Sequence, residues 1–311
     1  MPDWTKSMQR TYEYYLVDPL SWCDKSRITC VKSSTIERDS SEATTGHVTL
    51  EVTESLNECY IRIYMVVIQN GVTEKFPLAT VLAQTPGNDF DGKIANMSIE
   101  AYMPLVELKE TLPPYGFTIM KNANIMENAC KNIQEHMRAP LIVTESNKTL
   151  VENFVSNTDD TWLTFNSDLI AKADFSFSTD EMGTVTFSPK RELEAMQPVV
   201  TFGDDEHSIL QPSISTEYDL YGVPNVVEVI YSGDNQFFKS RIENNDPTSI
   251  TSTVNRGREI LYRDTNPNIT GTVSQSILDT YAKNLLKAKS TLEYKVTFKH
   301  AYYPVRVGDC I

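Results

Sequence analysis

The stretch Ser274–Asp309, SQSILDTYAKNLLKAKSTLEYKVTFKHAYYPVRVGD, predicts a helix followed by a strand. Apolar residues recur at three- and four-residue spacing from Ile277 to Leu286, and Ser274 is a suitable N-cap. After Ser290 the period changes to two, and polar residues alternate with an apolar set: Leu292, Tyr294, Val296 and Phe298. We therefore expect an amphipathic helix and a strand that buries its apolar face, with partner strands supplied by the rest of the chain.

The composition is that of an ordinary globular protein with an acidic surface. In 311 residues, 42 Asp and Glu stand against 28 Lys and Arg, which gives a net charge of -14. Such a charge disfavours sequence-independent binding to DNA or to an anionic membrane. The five cysteines are scattered without a CxxC pair, which predicts reduced thiols and neither a zinc site nor a disulfide framework. The sequence shows no signal peptide and no apolar run near the ~18 residues of a membrane span.

The first part of the chain is predicted to be β. Residues 1–25 form an N-terminal arm that is either a docking strand or a disordered end. Residues 26–110 alternate in strand fashion, notably from Val48 to Val52 and from Ile61 to Val67. Asn70-Gly71 is a preferred type I′ hairpin pair, and Thr85–Asp89 is interpreted as a loop. These features predict an antiparallel β domain.

Residues 111–200 predict a small mixed α/β region, and residues 201–311 a second β domain with one helix. In the mixed region, Asn124 and Glu127 resemble a capping box before a helix that Pro140 stops. Leu150–Val155 and Ser167–Ala173 are predicted to be short helical pieces. A hairpin is predicted around the turn Asp180–Gly183. The fold class is therefore α+β, mainly β.

Several phrases resemble the baseplate hub and tail-tip proteins of bacteriophages. In the second half these are PNVVEVIYSGD (224–234), IENNDPTSI (242–250), NRGREI (255–260), ILDTYAKNLL (277–286) and EYKVTFKHAYYPVRVGD (293–309). In the middle they are GFTIMKNANIMENACKNI (116–133), APLIV (139–143) and DEMGTVTFSP (180–189). The resemblance extends from about Ser33 to the C-terminal end and depends on the order of elements rather than on one diagnostic motif.

The resemblance implies two antiparallel β-barrel domains related to the tail-tube fold, 26–110 and 201–311, on either side of the mixed region. It also implies a homotrimeric ring in which three copies present six tube-like domains. The expected partners are further copies of the chain, the tail tube or distal tail protein, the tape measure protein, and tip spike or fibre proteins. DNA would pass through the lumen without specific binding. The expected location is the virion, after assembly in the host cytoplasm.

Four groups of residues contain side-chain types that occur in chemical sites. Asp204, Asp205, Glu206 and His207 include metal-ligand types, but four consecutive side chains fan out, so we interpret them as an exposed acidic loop. Asp159-Asp160 beside Trp162 could pass for a glycosidase pair, but adjacent carboxylates do not flank a sugar ring.

The other two groups are Cys130 with His136, and Arg256 with Arg258. Six residues apart on one helix, Cys130 and His136 point in different directions, so a Cys–His nucleophile is not expected. Arg256 and Arg258 could bind an anion, although a salt bridge to a neighbouring subunit is the preferred interpretation. No hydrolase, nucleotide-binding or metalloprotease motif is present in the sequence. We therefore predict no catalytic, cofactor-binding or metal-binding residues and no enzyme activity.

Two other functions remain open at the level of sequence. One is a tail-associated cell-wall hydrolase, either a peptidase or a glycosidase, which requires converging acid, base or metal groups. The other is a carbohydrate-binding β module, which requires a surface row of aromatic side chains. The spacing of the candidates does not form such a row: Tyr102, Tyr218, Tyr221, Tyr302 and Tyr303.

Overall fold

The computed structural model describes residues 2–90, 95–143, 145–189, 196–203, 209–233, 236–265, 267, 273–290, 292 and 294–311. The chain forms two compact units, of which unit 1 comprises Met1–Ser208 and Tyr302–Ile311 and unit 2 comprises Ile209–Ala301. Unit 2 is therefore inserted in the sequence of unit 1. No helix among the described residues is both long enough and apolar enough to cross a membrane.

This division differs from the predicted C-terminal domain, residues 201–311, because Tyr302–Ile311 belong to unit 1. Tyr302 packs edge-on against Trp4 with ring centroids 5.2 Å apart. Arg306 donates two hydrogen bonds of 2.8 Å to Glu181. These contacts fix the segment to unit 1 although it directly follows unit 2 in sequence.

Unit 1 contains an antiparallel seven-stranded sheet in the order β2-β1-β5-β6-β7-β4-β3. Its strands are β1 Gln9–Val17, β2 Asp24–Ile28, β3 Val31–Glu37, β4 His47–Val52, β5 Cys59–Gln69, β6 Val72–Phe90 and β7 Ala95–Tyr102. Inner-face residues such as Leu50, Ile61, Ile63 and Val81 are fully buried in one core cluster. In β4 the alternation seen in the sequence thus corresponds to one buried face, whereas β5 is buried on both faces from Tyr60 to Met65.

The sheet curls strongly because its two edge strands follow one another in the chain. Only Thr29 and Cys30 separate the end of β2 from the start of β3, although these strands lie at opposite edges. Two residues span at most a few ångströms each, so the two edges must come close together. Among the described residues no hydrogen-bonded ladder joins β2 to β3, and the sheet is not a closed barrel. The mainly β, α+β class is confirmed, whereas the two-barrel arrangement is not observed.

The predicted N-terminal arm is part of this sheet. All nine residues of β1 pair with β5, so of the two alternatives the docking strand is the one found. Asn70 and Gly71 both have positive φ, at 50° and 77°, as a type I′ turn requires. The loop predicted at Thr85–Asp89 is wrong, because β6 continues to Phe90 in partnership with β7. Backbone pairing with β7 overrides the local preference of Pro86 and Gly87 for a turn.

The mixed region of unit 1 contains α1 Val106–Lys109, β8 Thr118–Ile119, α2 Ile125–His136, β9 Phe154–Val155, α3 Trp162–Ala171, β10 Phe175–Thr179 and β11 Val185–Pro189. The N-cap of α2 is confirmed, since the Asn124 side chain accepts a hydrogen bond from the Glu127 N–H. The helical piece predicted at Leu150–Val155 is wrong, because Phe154 and Val155 pair with β8 instead. Helix α3 begins five residues before the predicted Ser167, at a capping box on Thr161.

Unit 2 contains β12 Ser215–Tyr218, β13 Val226–Gly233, β14 Gln236–Glu243, α4 Thr253–Arg256, β15 Leu261–Asp264, α5 Gln275–Ser290 and β16 Tyr294–Thr297. The three-stranded sheet β14-β13-β15 has β13 antiparallel to β14 and parallel to β15. Helix α5 covers one face of this sheet, with Leu278, Ala282 and Leu286 packed against Val227 and Val229. The helix predicted from the Ser274 N-cap is confirmed.

The strand predicted after this helix is shorter and more exposed than expected. It extends only from Tyr294 to Thr297, and it pairs with β12 in a separate two-stranded ribbon. Its expected buried face is open, because Tyr294 is 60 % exposed and Val296 is 46 % exposed. Phe298 lies beyond the end of the strand and is half-buried. The expectation of a half-buried strand is therefore wrong in this single chain.

Candidate functional site

A polar site with many hydrogen bonds lies in unit 1 at the turn Asp180–Gly183, which connects β10 to β11. The Asp180 side chain accepts a hydrogen bond of 2.7 Å from the Thr184 N–H, and the Asp180 carbonyl accepts one of 3.1 Å from the Gly183 N–H. Gly183 has φ of +79°, a conformation that side chains with a Cβ rarely adopt. These local bonds present the turn's carbonyl groups to the large sheet.

The sheet binds the turn through donors from several strands and loops. Trp22 Nε1 donates to the Met182 carbonyl at 2.8 Å, and Thr80 Oγ1 donates to the Glu181 carbonyl at 3.1 Å. A Cβ added to Gly183 would lie 2.8 Å from Thr80 Cβ and 3.0 Å from the Trp22 ring. We call the turn and the side chains that contact it, Trp22, Arg62, Thr80 and Arg306, the turn junction.

Arg62 is the charged centre of the turn junction. Its guanidinium donates to Asp24 Oδ1 at 2.8 Å, to Thr80 Oγ1 at 2.9 Å, and to the carbonyls of Trp22 and Met182 at 3.2 Å. Asp24 also accepts a hydrogen bond of 2.8 Å from the Tyr64 hydroxyl. A buried guanidinium is tolerated when its donors are satisfied and a carboxylate is near, and both conditions hold here.

A second arginine fixes the start of the same turn. Arg38 donates to the carbonyl of Thr179 at 3.1 Å and to that of Leu78 at 2.9 Å. Burial lowers the pKa of Arg38, and the charge of Glu181 opposes that change. The turn junction thus connects the sheet, the mixed region and the segment after unit 2. The side chains and carbonyl groups of the turn junction bind one another, so the junction holds these three parts of the chain together.

An open cleft of about 560 Å³ lies elsewhere in unit 1, beside the C-terminal end of α2. Its polar lining includes four carboxylates and one guanidinium: Glu58, Glu107, Glu110, Glu135 and Arg138. The Arg138 N–H donates to Glu107 at 2.7 Å, and the guanidinium binds the same carboxylate. Burial alone would lower the pKa of Arg138, but the hydrogen bonds and charge of Glu107 outweigh it and raise that pKa.

Tyr60 is buried under this cleft, with the Arg138 guanidinium 5.2 Å from its ring centroid. Burial, together with the nearby Glu107 carboxylate, raises the pKa of Tyr60 above its ordinary value. The phenol is therefore held neutral, and the Arg138 guanidinium of the cleft is already bound by Glu107. The arrangement stabilises the packing of α2 against the sheet.

The structure places the predicted candidates apart from one another. Asp204, Asp205, Glu206 and His207 lie outside the described residues. Asp160 accepts hydrogen bonds from the Asn157 N–H at 2.7 Å and from Thr164 Oγ1 at 3.4 Å, which supports the start of α3. Trp162 is buried in the core of the mixed region. The aspartate has a local structural role, and its neighbour Trp162 is not a surface platform.

Cys130 and His136 also have different surroundings. Cys130 is buried in the core cluster between α2 and α3. The His136 ring lies 4.3 Å from the Trp162 ring, and its Nδ1 hydrogen-bonds to the Asn132 carbonyl at 2.8 Å. The two side chains therefore have separate partners, Cys130 in the core and His136 at Trp162 and the Asn132 carbonyl.

Arg256 is bonded within its own chain, and its salt bridge to a neighbouring subunit stays a prediction. Its guanidinium donates to the carbonyls of Val223 at 2.8 Å and Leu220 at 2.9 Å in the same chain. The Arg258 carbonyl accepts a hydrogen bond of 2.9 Å from the buried Asn225. Both residues therefore order the loops around β13. In the part of the chain that the structure describes, no group of three His, Cys, Asp or Glu side chains is arranged to hold a metal ion.

The charge of the chain is divided unequally between the units. Residues 209–301 contain ten acidic and ten basic side chains, so unit 2 is neutral in net charge. The whole net charge of -14 therefore belongs to the residues of unit 1. The acidity inferred from the overall composition is a property of one unit, not of the molecule as a whole.

The fold is similar to those of two tail proteins, one of them from a prophage. The tail protein from Neisseria meningitidis MC58 matches with a TM-score of 0.63 at 12% sequence identity, over 95% of this chain and 82% of that chain. The 43 kDa tail protein of prophage MuSo2 from Shewanella oneidensis matches with a TM-score of 0.57 at 11% sequence identity. The match covers 91% of this chain and 78% of that chain. The chain has the fold of phage tail proteins. No protein-family model and no curated protein matches the sequence.

These matches confirm the predicted resemblance at the level of the fold. At such low identity the likeness extends to the arrangement of elements and not to individual residues. Sequence reasoning found the hairpin around Asp180–Gly183 but missed that it receives Arg62, Trp22 and Arg306. A usable signal was Arg62 itself, because a single charge between Ile61 and Ile63 in a strand apolar on both faces indicates a buried ion pair.

Proposed function

We propose that this chain is a structural protein of a phage tail, a baseplate hub that connects the tail tube to the tip and forms part of the DNA channel. The observation that carries the proposal is the likeness to tail proteins over nearly the whole chain. The chemistry of the described residues agrees with this, since the polar clusters bind each other and fix the fold.

The proposed assembly is a homotrimeric ring. In it, the curled seven-stranded sheet of unit 1 is one tube-like element and the β part of unit 2 is the other. Three copies then present six related elements, which is the arrangement required to dock onto a six-fold tube. A closed cyclic ring needs heterologous contacts, in which each copy offers two different surfaces.

The charge distribution supports a role around passing DNA. Three copies, each with a net charge of -14, repel phosphates rather than bind them. Screening over ~8 Å at physiological salt limits this repulsion to the wall of the channel. In this proposal unit 1 faces the lumen, and DNA passes through the channel without adhering to its wall.

The proposed partners are those of a hub. They are further copies of the chain, the tail tube or distal tail protein, the tape measure protein, and tip spike or fibre proteins. The location is the virion, after assembly in the host cytoplasm. The proposal includes no cofactor, no membrane and no catalytic step.

A reconstruction of the assembled tail tip tests the function. We expect density for this chain in a three-fold ring at the distal end of the tail, with carboxylates around the lumen. An antibody against the chain should decorate the tail tip and not the capsid. A single copy, a dimer, a lumen lined with Lys and Arg, or absence from the virion would overturn the proposal.

A further inference from the structure

The two-stranded ribbon of unit 2 is incomplete in the single chain. Strands β12 and β16 pair from Ser215 opposite Thr297 to Tyr218 opposite Tyr294. The described residues add no third strand to this ribbon. All eight of its residues are exposed. The pairing continues at Leu210 opposite His300, but among the described residues the ribbon stays two-stranded, and a two-stranded ribbon gains stability from a further strand.

The two faces of the ribbon differ in character. Tyr218, Tyr294 and Val296 lie on one face, because they pair or alternate at two-residue spacing. Tyr218 is 57 % exposed, and its ring stacks on that of Tyr294 with centroids 6.3 Å apart. Glu217 and Lys295 stand opposite each other on the second face. The apolar face is therefore open, whereas the polar face is suited to water.

The two outer edges of the ribbon are complementary to each other. Each strand uses one side for its partner within the chain, and among the described residues no strand pairs with the backbone N–H and C=O groups of the other side. If β12 of one copy were placed along β16 of another, the pairs already present within the ribbon would be repeated. Tyr218 would again meet Tyr294, and Glu217 would again meet Lys295. Opposite charges and paired aromatics across neighbouring strands are favourable.

The charge division favours a second copy as the occupant of these edges. Unit 1 carries the whole net charge of -14, so two such units repel each other. Unit 2 is neutral, and its ribbon brings no net charge to the contact because Glu217 balances Lys295. Copies of the chain can therefore approach through unit 2 with little electrostatic cost.

We infer that the ribbon is the self-association surface of the chain, where β12 of one copy adds to the free edge of β16 in the next. The contact joins two different edges, so the first copy keeps its free β16 edge and the second its free β12 edge for further neighbours. This inference rests on the proposed function, which requires several copies in contact, and it names the segment through which they join.

Sedimentation velocity over a series of concentrations is the first test. We expect the wild-type chain to associate reversibly, and Tyr294→Ser to require at least tenfold higher concentration for the same association. Tyr115→Ser in unit 1 is the matched control, since Tyr115 is 92 % exposed and lies far from the ribbon in sequence. It should associate like the wild type, and all three chains should have the same circular dichroism spectrum. A wild-type chain that stays monomeric at millimolar concentration, or equal effects of the two substitutions, would overturn the inference.

Charge reversal separates contacts between copies from contacts within one chain. Glu217→Lys alone and Lys295→Glu alone each place like charges opposite one another, and each variant should associate poorly by itself. Mixed together, the two variants can alternate, so that β12 of each faces β16 of the other with opposite charges. We expect the mixture to regain association that neither variant has alone. Absence of this rescue would overturn the inference.

The two proposals fail in different ways. A three-fold tail-tip ring in which the ribbon edges face solvent would overturn this inference and leave the proposed function intact. Ribbon-dependent association of a chain that is absent from virions would do the opposite.

Discussion

Arg62 Nη1 donates a hydrogen bond of 2.8 Å to Asp24 Oδ1, and the arginine side chain is only 2 % exposed. The same guanidinium binds the backbone carbonyls of Trp22 and Met182, which are 160 residues apart in the chain. One buried cation thus fixes the N-terminal strands and the turn between β10 and β11 to a central strand of the sheet.

We expect Arg62→Ala to destabilise unit 1 by about 3–5 kcal/mol, the usual cost of removing one partner from a buried ion pair. Asp24 would lose its charged partner, the Trp22 carbonyl would lose its hydrogen bond from Arg62, and the Met182 carbonyl would keep only that from the Trp22 indole. The matched control is Arg27→Ala, because Arg27 forms an exposed pair with Glu13 at 3.3 Å. That change should cost less than about 1 kcal/mol. Urea unfolding followed by tryptophan fluorescence measures unit 1 alone, since all three tryptophans lie in it. Equal midpoints for the two variants would contradict this role of Arg62.

We expect Gly183→Ala to destabilise unit 1 more than Gly116→Ala, the same change at another glycine with positive φ. Gly183 and Gly116 have φ of +79° and +73°, but nothing lies within 4 Å of a Cβ at Gly116. Both substitutions carry the left-handed cost of about 1–2 kcal/mol for a residue with a Cβ. Contact with Thr80 and Trp22 should add about 1–3 kcal/mol at Gly183, as expected for overpacking. The same fluorescence measurement compares them, and a Gly183→Ala chain no less stable than Gly116→Ala would refute the close contact.

Glu228 should make the stability of unit 2 dependent on pH. Its carboxylate is buried in the sheet and accepts hydrogen bonds of 2.6 Å from Lys239 and from Arg263. Both bonds lower the pKa of Glu228 below its ordinary value of 4.5, and the bond from Lys239 has the larger effect. The stabilisation is present above pH 4.5, where the unfolded carboxyl is also ionised, and is lost as the pH falls through the lower pKa of the folded state.

Hydrogen exchange of β13, corrected for the intrinsic rate at each pH, checks this expectation. Protection should decrease below pH 4.5 in the wild type, and Glu228→Gln should be less stable at neutral pH but lack that decrease. Glu259→Gln is the control, since Glu259 forms an exposed pair with Arg241. It should retain the wild-type profile. Identical profiles for wild type and Glu228→Gln would show that Glu228 has no such effect.

The chain should have no turnover on peptidoglycan or nucleic acid. A peptidoglycan zymogram and a nuclease assay, each with and without zinc or calcium, measure this directly. The triple change of Asp204, Asp205 and His207 to Ala should leave assembly unaffected, because we interpret these residues as an exposed acidic loop. Metal-dependent activity that the triple change abolishes would contradict the prediction.

Local sequence signals predicted the elements that are fixed by their own residues. Asn124 caps α2, Asn70-Gly71 turns the hairpin between β5 and β6, and Ser274 precedes α5, each as its residue type indicates. These features depend on backbone groups only a few residues away. The sequence therefore contains most of the information that determines them.

Features that depend on distant partners were not predicted. The continuation of β6 through Pro86 and Gly87 depends on pairing with β7, and the parallel pairing of β13 with β15 depends on a long connection. Directly bonded residues of the turn junction are up to 160 positions apart, so no local pattern predicts it. The open face of Tyr294 and Val296 was predicted as buried, because periodicity identifies an apolar face but not whether the same chain covers it.

The contact between Tyr302 and Trp4 sets an order of events during synthesis. Tyr302 leaves the ribosome only after all of unit 2, yet its ring completes the packing around Trp4 near the start of the chain. The apolar patch of the large sheet around Trp4 therefore stays uncovered by Tyr302 while unit 2 is translated. A chain interrupted within unit 2 would keep that patch exposed, which is the kind of surface that chaperones and proteases recognise. Truncated products would thus be removed before they could enter an assembly.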